Sequence, residues 1–124
     1  VATIELTDAN FEKTITDNDI VLVDFWAPWC APCRSFAPIY ESVSEKHPDV
    51  VFAKVNTEEQ QGLGAHFQIR SIPTLMIFRE QTIIFSQAGS LPAEALEDVI
   101  SKAKELDMEM VRKEIANHGQ SSAE

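Results

Sequence analysis

Two cysteines with two residues between them, Cys30-Ala31-Pro32-Cys33, are the chain's only thiols, and their setting suits redox chemistry. The preceding run Val21–Trp26 reads as a buried strand, because apolar positions are nearly continuous and β-branched or aromatic side chains dominate. The segment after Cys33 reads as a helix, so both thiols fall where a strand hands over to a helix N-terminus. Free N–H groups and the positive end of the helix dipole there favour thiolate over thiol at Cys30. A C-x-x-C pair in such a βα setting is a redox signature rather than half a metal site. A bridge across so short a loop restrains little of the unfolded chain, so reactivity explains the pair better than stapling.

Other side chains bear on this centre. Asp24 puts a carboxylate into an otherwise apolar strand, where burial carries a desolvation penalty and raises the pKa. The alternative is an Asp that faces solvent near the strand end. Lys54, on the strand expected beside it, either moderates Asp24 electrostatically or is an ordinary surface lysine. Pro32, in the first helical turn, needs no N–H and pre-sets a helical φ, which stiffens the ring between the sulfurs. Cys33, one turn from Cys30, can reach its sulfur. His47, His66 and His118 are scattered away from the cysteines, and two thiols cannot close a tetrahedral zinc site, so no metal is expected.

The elements that must hold these residues follow from periodicity and punctuation. Thr3–Leu6 reads as an edge strand, and Thr7 or Asp8 is placed to cap a helix to about Ile15, with Phe11 and Ile15 inward. A long helix is expected from about Cys33 to Lys46, kinked by the missing donor at Pro38. A strand over 50–56, a short helix over about 58–67 weakened by Gly62 and Gly64, and a hairpin of 75–78 with 83–88 through Glu80-Gln81 come next. Leu91-Pro92 opens a final helix. The order β-α-β-α-β-α-β-β-α predicts an α/β fold, a mixed sheet with helices on both faces and its last strand pair antiparallel.

Composition sets limits. The chain has 124 residues, 44% apolar and 24% charged, which suits one globular domain with an ordinary core. Ten basic against twenty acidic residues give a net charge of −10, a surface that phosphate backbones repel, so nucleic-acid binding is not expected. No stretch approaches the ~18–20 apolar residues of a membrane span, and Val1-Ala2-Thr3-Ile4-Glu5 carries no export signal.

At Asp24-Phe25-Trp26-Ala27-Pro28-Trp29-Cys30-x-Pro32-Cys33-Arg34, Phe36-Ala37-Pro38, Lys54-Val55-Asn56 and Ile69-Arg70-Ser71-Ile72-Pro73-Thr74 the chain resembles the thioredoxin family. The resemblance spans residues 1–106 and is closest to the bacterial thioredoxin 2 type, whose N-terminal cysteine-rich zinc module this sequence lacks. It implies a thioredoxin fold with a central mixed five-stranded sheet, and a protein-disulfide reductase without a bound cofactor. Cys30 would be the exposed thiol that attacks a substrate disulfide and Cys33 the more buried one that resolves it. Asp24 would be the buried acid that takes the Cys33 proton. Pro73 would be cis, leaving the Ile72 backbone free to pair with an extended substrate. Trp29, Ala31, Ile72 and Gly89 would line a flat docking surface with Pro32, and Trp26 would pack beneath. Partners implied are disulfide-containing proteins and an NADPH-dependent flavoprotein reductase, in the bacterial cytoplasm. Ala31 departs from the family's usual Gly, and Gln81 stands where its hairpin turn usually has one.

Residues 107–124 lie beyond the resemblance and are expected to continue the last helix, ending in a frayed polar tail over 118–124. Val99, Ala103, Leu106 and Met110 form one stripe; Met108, Val111 and Ile115 form another. The second stripe either packs on its own domain or meets another protomer or partner. Two other functions stay open at this point: a periplasmic oxidase or isomerase, and a binding subunit whose dithiol is incidental.

Overall fold

The computed structural model describes residues 3–123, with side chains described for 3–117. Its elements are β1 (Thr3–Glu5), α1 (Phe11–Asp17), β2 (Ile20–Trp26), α2 (Ala31–Ser44), β3 (Val51–Asn56), α3 (Gln61–His66), β4 (Thr74–Arg79), β5 (Thr82–Ala88), α4 (Ala93–Glu105) and α5 (Met108–Ala123). The strands form one five-stranded sheet in the order β1-β3-β2-β4-β5. β3 runs parallel to β1 and β2, whereas β4 is antiparallel to both β2 and β5. This is the mixed α/β sheet that the element order predicts.

Strand alternation divides the core into two layers. Ile20 and Leu22 of β2, Phe52 of β3, and Leu75 and Ile77 of β4 pack with Phe36, Tyr40 and Val43 of α2 and Leu96 and Ile100 of α4. On the opposite face Val21, Val23 and Phe25 meet Ala53, Val55, Met76 and Phe78, covered by Phe11 and Ile15 of α1 and Leu63 of α3. Asp24 shares the parity of Leu22 and therefore faces α2, the helix that begins at the cysteines. Fully buried Tyr40 donates its hydroxyl to the Ala53 carbonyl at 2.8 Å, fastening α2 to β3.

Several boundaries differ from the sequence reading. Neither Thr7 nor Asp8 caps α1; the N-cap is Asn10, whose Oδ1 accepts from the Thr7 N–H at 2.7 Å, closing a turn ahead of the helix. Helix α2 starts at Ala31 rather than Cys33 and ends at Ser44, with Pro38 inside it. Glu80 and Gln81 of the hairpin turn both adopt positive φ, 49° and 68°, the pair of left-handed residues that a type I′ connection requires.

The expected single C-terminal helix comes in two pieces, α4 and α5. It breaks at Leu106 and Asp107, where Arg79 Nη1 donates to the carbonyls of Ala103 and Leu106 at 2.9 and 2.5 Å and satisfies the end of α4. Asp107 then caps α5, its Oδ1 accepting from the Glu109 and Met110 N–H groups at 3.0 and 3.3 Å. Met108 is buried, and Arg112 pairs with Glu80 at 2.6 Å, so the first turns of α5 are tied to the hairpin. The second stripe divides: Met108 packs inward, while Ile115 is half exposed. The backbone of 118–123 continues α5 where a frayed tail is expected; Glu124 lies outside the described residues.

Candidate functional site

Cys30 is the N-cap of α2, and its backbone is extended (φ −88°, ψ 113°) while that of Ala31 is already helical. Strand β2 delivers the chain through the Ala27–Trp29 turn, closed by Cys30 N–H donating to Ala27 O at 3.2 Å. Arg34 Nη1 donates back to Pro28 O at 3.0 Å and holds that turn against the helix. Cys30 and Cys33 are joined as a disulfide with their Cα atoms 5.2 Å apart. The Cys33 N–H points at Cys30 Sγ from 3.2 Å. It is one of the orphan donors of the first turn, so negative charge developing on Cys30 Sγ meets both a hydrogen-bond donor and the helix dipole. Among the described residues Cys33 Sγ has no such partner.

The two sulfurs are not equally accessible. Cys30 is 5% exposed and Cys33 2%; Cys30 is thus the more open, though far less exposed than the resemblance implies. Trp26 and Ile72 pack against Ala27 and both cysteines. The Ile72–Pro73 peptide bond is cis, and Ile72 O lies 3.7 Å from Cys30 Sγ. Pro73 O accepts from Gly89 N–H at 2.8 Å; Gly89 has φ +99°, which L side chains rarely adopt. Ala31 and Pro32 are exposed on the first turn of α2. The fold therefore gathers Trp26, Cys30, Cys33, Ile72, Pro73 and Gly89. Pro38, exposed further along α2, stands outside this cluster.

Trp29 is 66% exposed rather than packed in the core, and its indole N–H donates to Glu58. With Ile72 it borders a groove of about 570 Å³ whose far wall is Thr57, Gly64, Ile69, Arg70 and Ser71. Sequence reasoning gave this wall and Glu58 no role at the site, although Ile69, Arg70 and Ser71 lie in the motif that ends at Pro73-Thr74.

Asp24 is 1% exposed, and among the described residues neither carboxylate oxygen has a hydrogen-bond partner. Burial pushes its pKa up to about 7, with the Lys54 charge opposing and the Glu5 charge adding. The same carboxylate, after burial, helps hold the Tyr40 phenol well above its ordinary range, which agrees with Asp24 facing α2. Lys54 is half-buried and the register partner of Asp24; its ammonium lies 4.4 Å from the Trp26 ring centroid. Among the described residues no three His, Cys, Asp or Glu side chains come together as a metal-binding group. No helix there is long and apolar enough to cross a membrane.

This arrangement can exchange a dithiol for a disulfide: one capped sulfur beside a groove, a second behind it, and a buried acid on the adjoining strand. Comparison with known proteins agrees. The thioredoxin family model matches residues 2–102. A putative thioredoxin 2 of Streptomyces coelicolor is 56% identical over 115 residues, covering 93% of this chain and 86% of that protein. A thioredoxin of Alicyclobacillus acidocaldarius is 46% identical over 97 residues, 77% of this chain and 92% of that one. Among solved structures, a mutant thioredoxin from Halobacterium salinarum superposes with a TM-score of 0.79 at 31% identity, over 85% of this chain and 93% of its own. The chain belongs to the thioredoxin family, and its dithiol is that of a protein-disulfide reductase.

Proposed function

We propose that the chain reduces protein disulfides with Cys30 as the attacking sulfur and Cys33 as the resolving one. The Cys30 thiolate attacks a substrate disulfide, forming a mixed disulfide and releasing one substrate thiolate, which takes a proton from water. Cys33 then gives its proton to Asp24 and attacks Cys30 Sγ, expelling the second substrate thiolate. Two electrons pass to the substrate, and the Cys30–Cys33 disulfide remains. The Asp24 proton leaves with the departing thiol or to solvent.

One observation carries the order of attack: the Cys33 N–H donates to Cys30 Sγ at the N-cap of α2, and nothing comparable supports Cys33 Sγ. The groove beside Trp29, bordered by Ile72, supports docking of an extended segment. The family implies reduction of the spent disulfide by an NADPH-dependent flavoprotein, and a reducing bacterial cytoplasm as the compartment.

Trapping tests the reading. Cys33→Ser should retain substrate proteins covalently at Cys30, released by dithiothreitol, whereas Cys30→Ser should retain far fewer. An equal yield from the two variants would refute the order.

A further inference from the structure

Three charged side chains form a row across the sheet. Glu5 of β1 is the register partner of Lys54 on β3, and Lys54 is the register partner of Asp24 on β2. In-register neighbours on adjacent strands put their side chains on one face, roughly 5 Å apart per strand. The lone ammonium in this row therefore stands between two carboxylates about 10 Å apart. Among the described residues it closes on neither carboxylate: both Asp24 oxygens lack a hydrogen bond, and Lys54 Nζ sits over the Trp26 ring. Although the residue as a whole is exposed, partial desolvation raises the Glu5 carboxyl above its usual value, with the Lys54 charge opposing, Glu59 adding and the Trp26 indole opposing.

We propose that Glu5 is a positioning residue for the buried acid: by sharing Lys54 across the sheet, it keeps the ammonium from closing on Asp24 and leaves that carboxyl free to take up and release a proton. The inference rests on Asp24 acting as the proton acceptor for Cys33. A full ion pair would hold Asp24 ionised and make it a poor base near neutrality. Other groups bearing on Asp24 are accounted for: α2 contributes Tyr40, which stays protonated, and the β4 register partner is apolar Leu75. Glu59 acts on Glu5. Glu5 is exposed on an edge strand, so its substitution leaves the core untouched.

The test follows the Asp24 carboxyl by carbon NMR across pH in the reduced protein, alongside the pH profile of mixed-disulfide resolution. Glu5→Gln should move the Asp24 midpoint downward and carry the rate inflection with it. Glu5→Asp, which keeps the charge, should return both toward wild type. In a Lys54→Gln background, Glu5→Gln should shift the midpoint much less, the mark of coupling through Lys54. An unmoved midpoint, or an equal shift without Lys54, overturns the proposal. Asp24→Asn separates the two layers: if resolution is unaffected by it, the role of the acid falls, while the midpoint still reports whether Glu5 acts through Lys54.

Discussion

Asp24 and Lys54 are register partners on adjacent parallel strands, yet among the described residues neither oxygen of Asp24 has a hydrogen-bond partner, the lysine included. A carboxyl so placed is costly when charged, and the cost has a pH signature. Its pKa is about 7 in the folded protein against 3.8 as the ordinary value. Between those values the folded state binds a proton that the unfolded chain has released. Stability therefore declines as pH climbs through that window and reaches its low plateau above about 7. Asp24→Asn should raise unfolding free energy at pH 8 by up to about 4 kcal/mol and have little effect near pH 3. Urea melts at the two pH values check this; an equal gain at both would contradict it.

The same carboxyl sets a kinetic prediction. As the acceptor of the Cys33 proton it must be ionised, so wild-type resolution should accelerate as pH rises through about 7. Asp24→Asn should slow that step about 10- to 100-fold at pH 7 and abolish the inflection, in line with the loss of one general base. Single-turnover release of a chromophoric thiol from a preformed mixed disulfide measures it.

The hairpin carries a removable strain. Gln81 has φ 68° at a turn position that glycine fills without cost. Gln81→Gly should stabilise the protein by about 0.5–1 kcal/mol without changing reductase activity. Gly89→Ala is the converse: φ is +99° and no atom lies within 4 Å of an added Cβ, so only backbone strain opposes it. A loss of about 1–2 kcal/mol is expected. Denaturant midpoints of the two variants should move in opposite directions.

The C-terminal helix α5 starts on the Asp107 cap and holds to the domain through Met108 and the Arg112–Glu80 pair. Asp107→Ala should cost about 1 kcal/mol and Met108→Ala about 2–3 kcal/mol. Met110 and Ile115 remain 61% and 50% exposed on that helix. Deleting residues 107–124 should leave insulin reduction intact. If the full chain self-associates in sedimentation, the truncated one should not.

How far the sequence could be read follows from the range of each interaction. The βα junction at Cys30 rests on local signals: an apolar run, Pro32 in the first turn, and a thiol at the cap. Alternation along β2 likewise marks Leu22 and Asp24 as sharing a face. The Glu5–Lys54–Asp24 row was not legible, because it depends on parallel pairing of β1 with β3 across some fifty residues, and no local pattern sets that register. The break after Glu105 was hidden for a similar reason. Periodicity runs on through it, and the carbonyls that end α4 are satisfied by Arg79 from a strand. Asn10, with its side chain spent on Thr7, shows how several cap-forming residues in a row blur a helix start.

Site-resolved alkylation of the fully reduced protein tests the division of labour between the sulfurs most directly. Brief iodoacetamide treatment at neutral pH, read by peptide mass spectrometry, should modify Cys30 at least tenfold faster than Cys33, given the donor and helix terminus that only Cys30 enjoys. Equal labelling, or faster labelling of Cys33, would contradict the account.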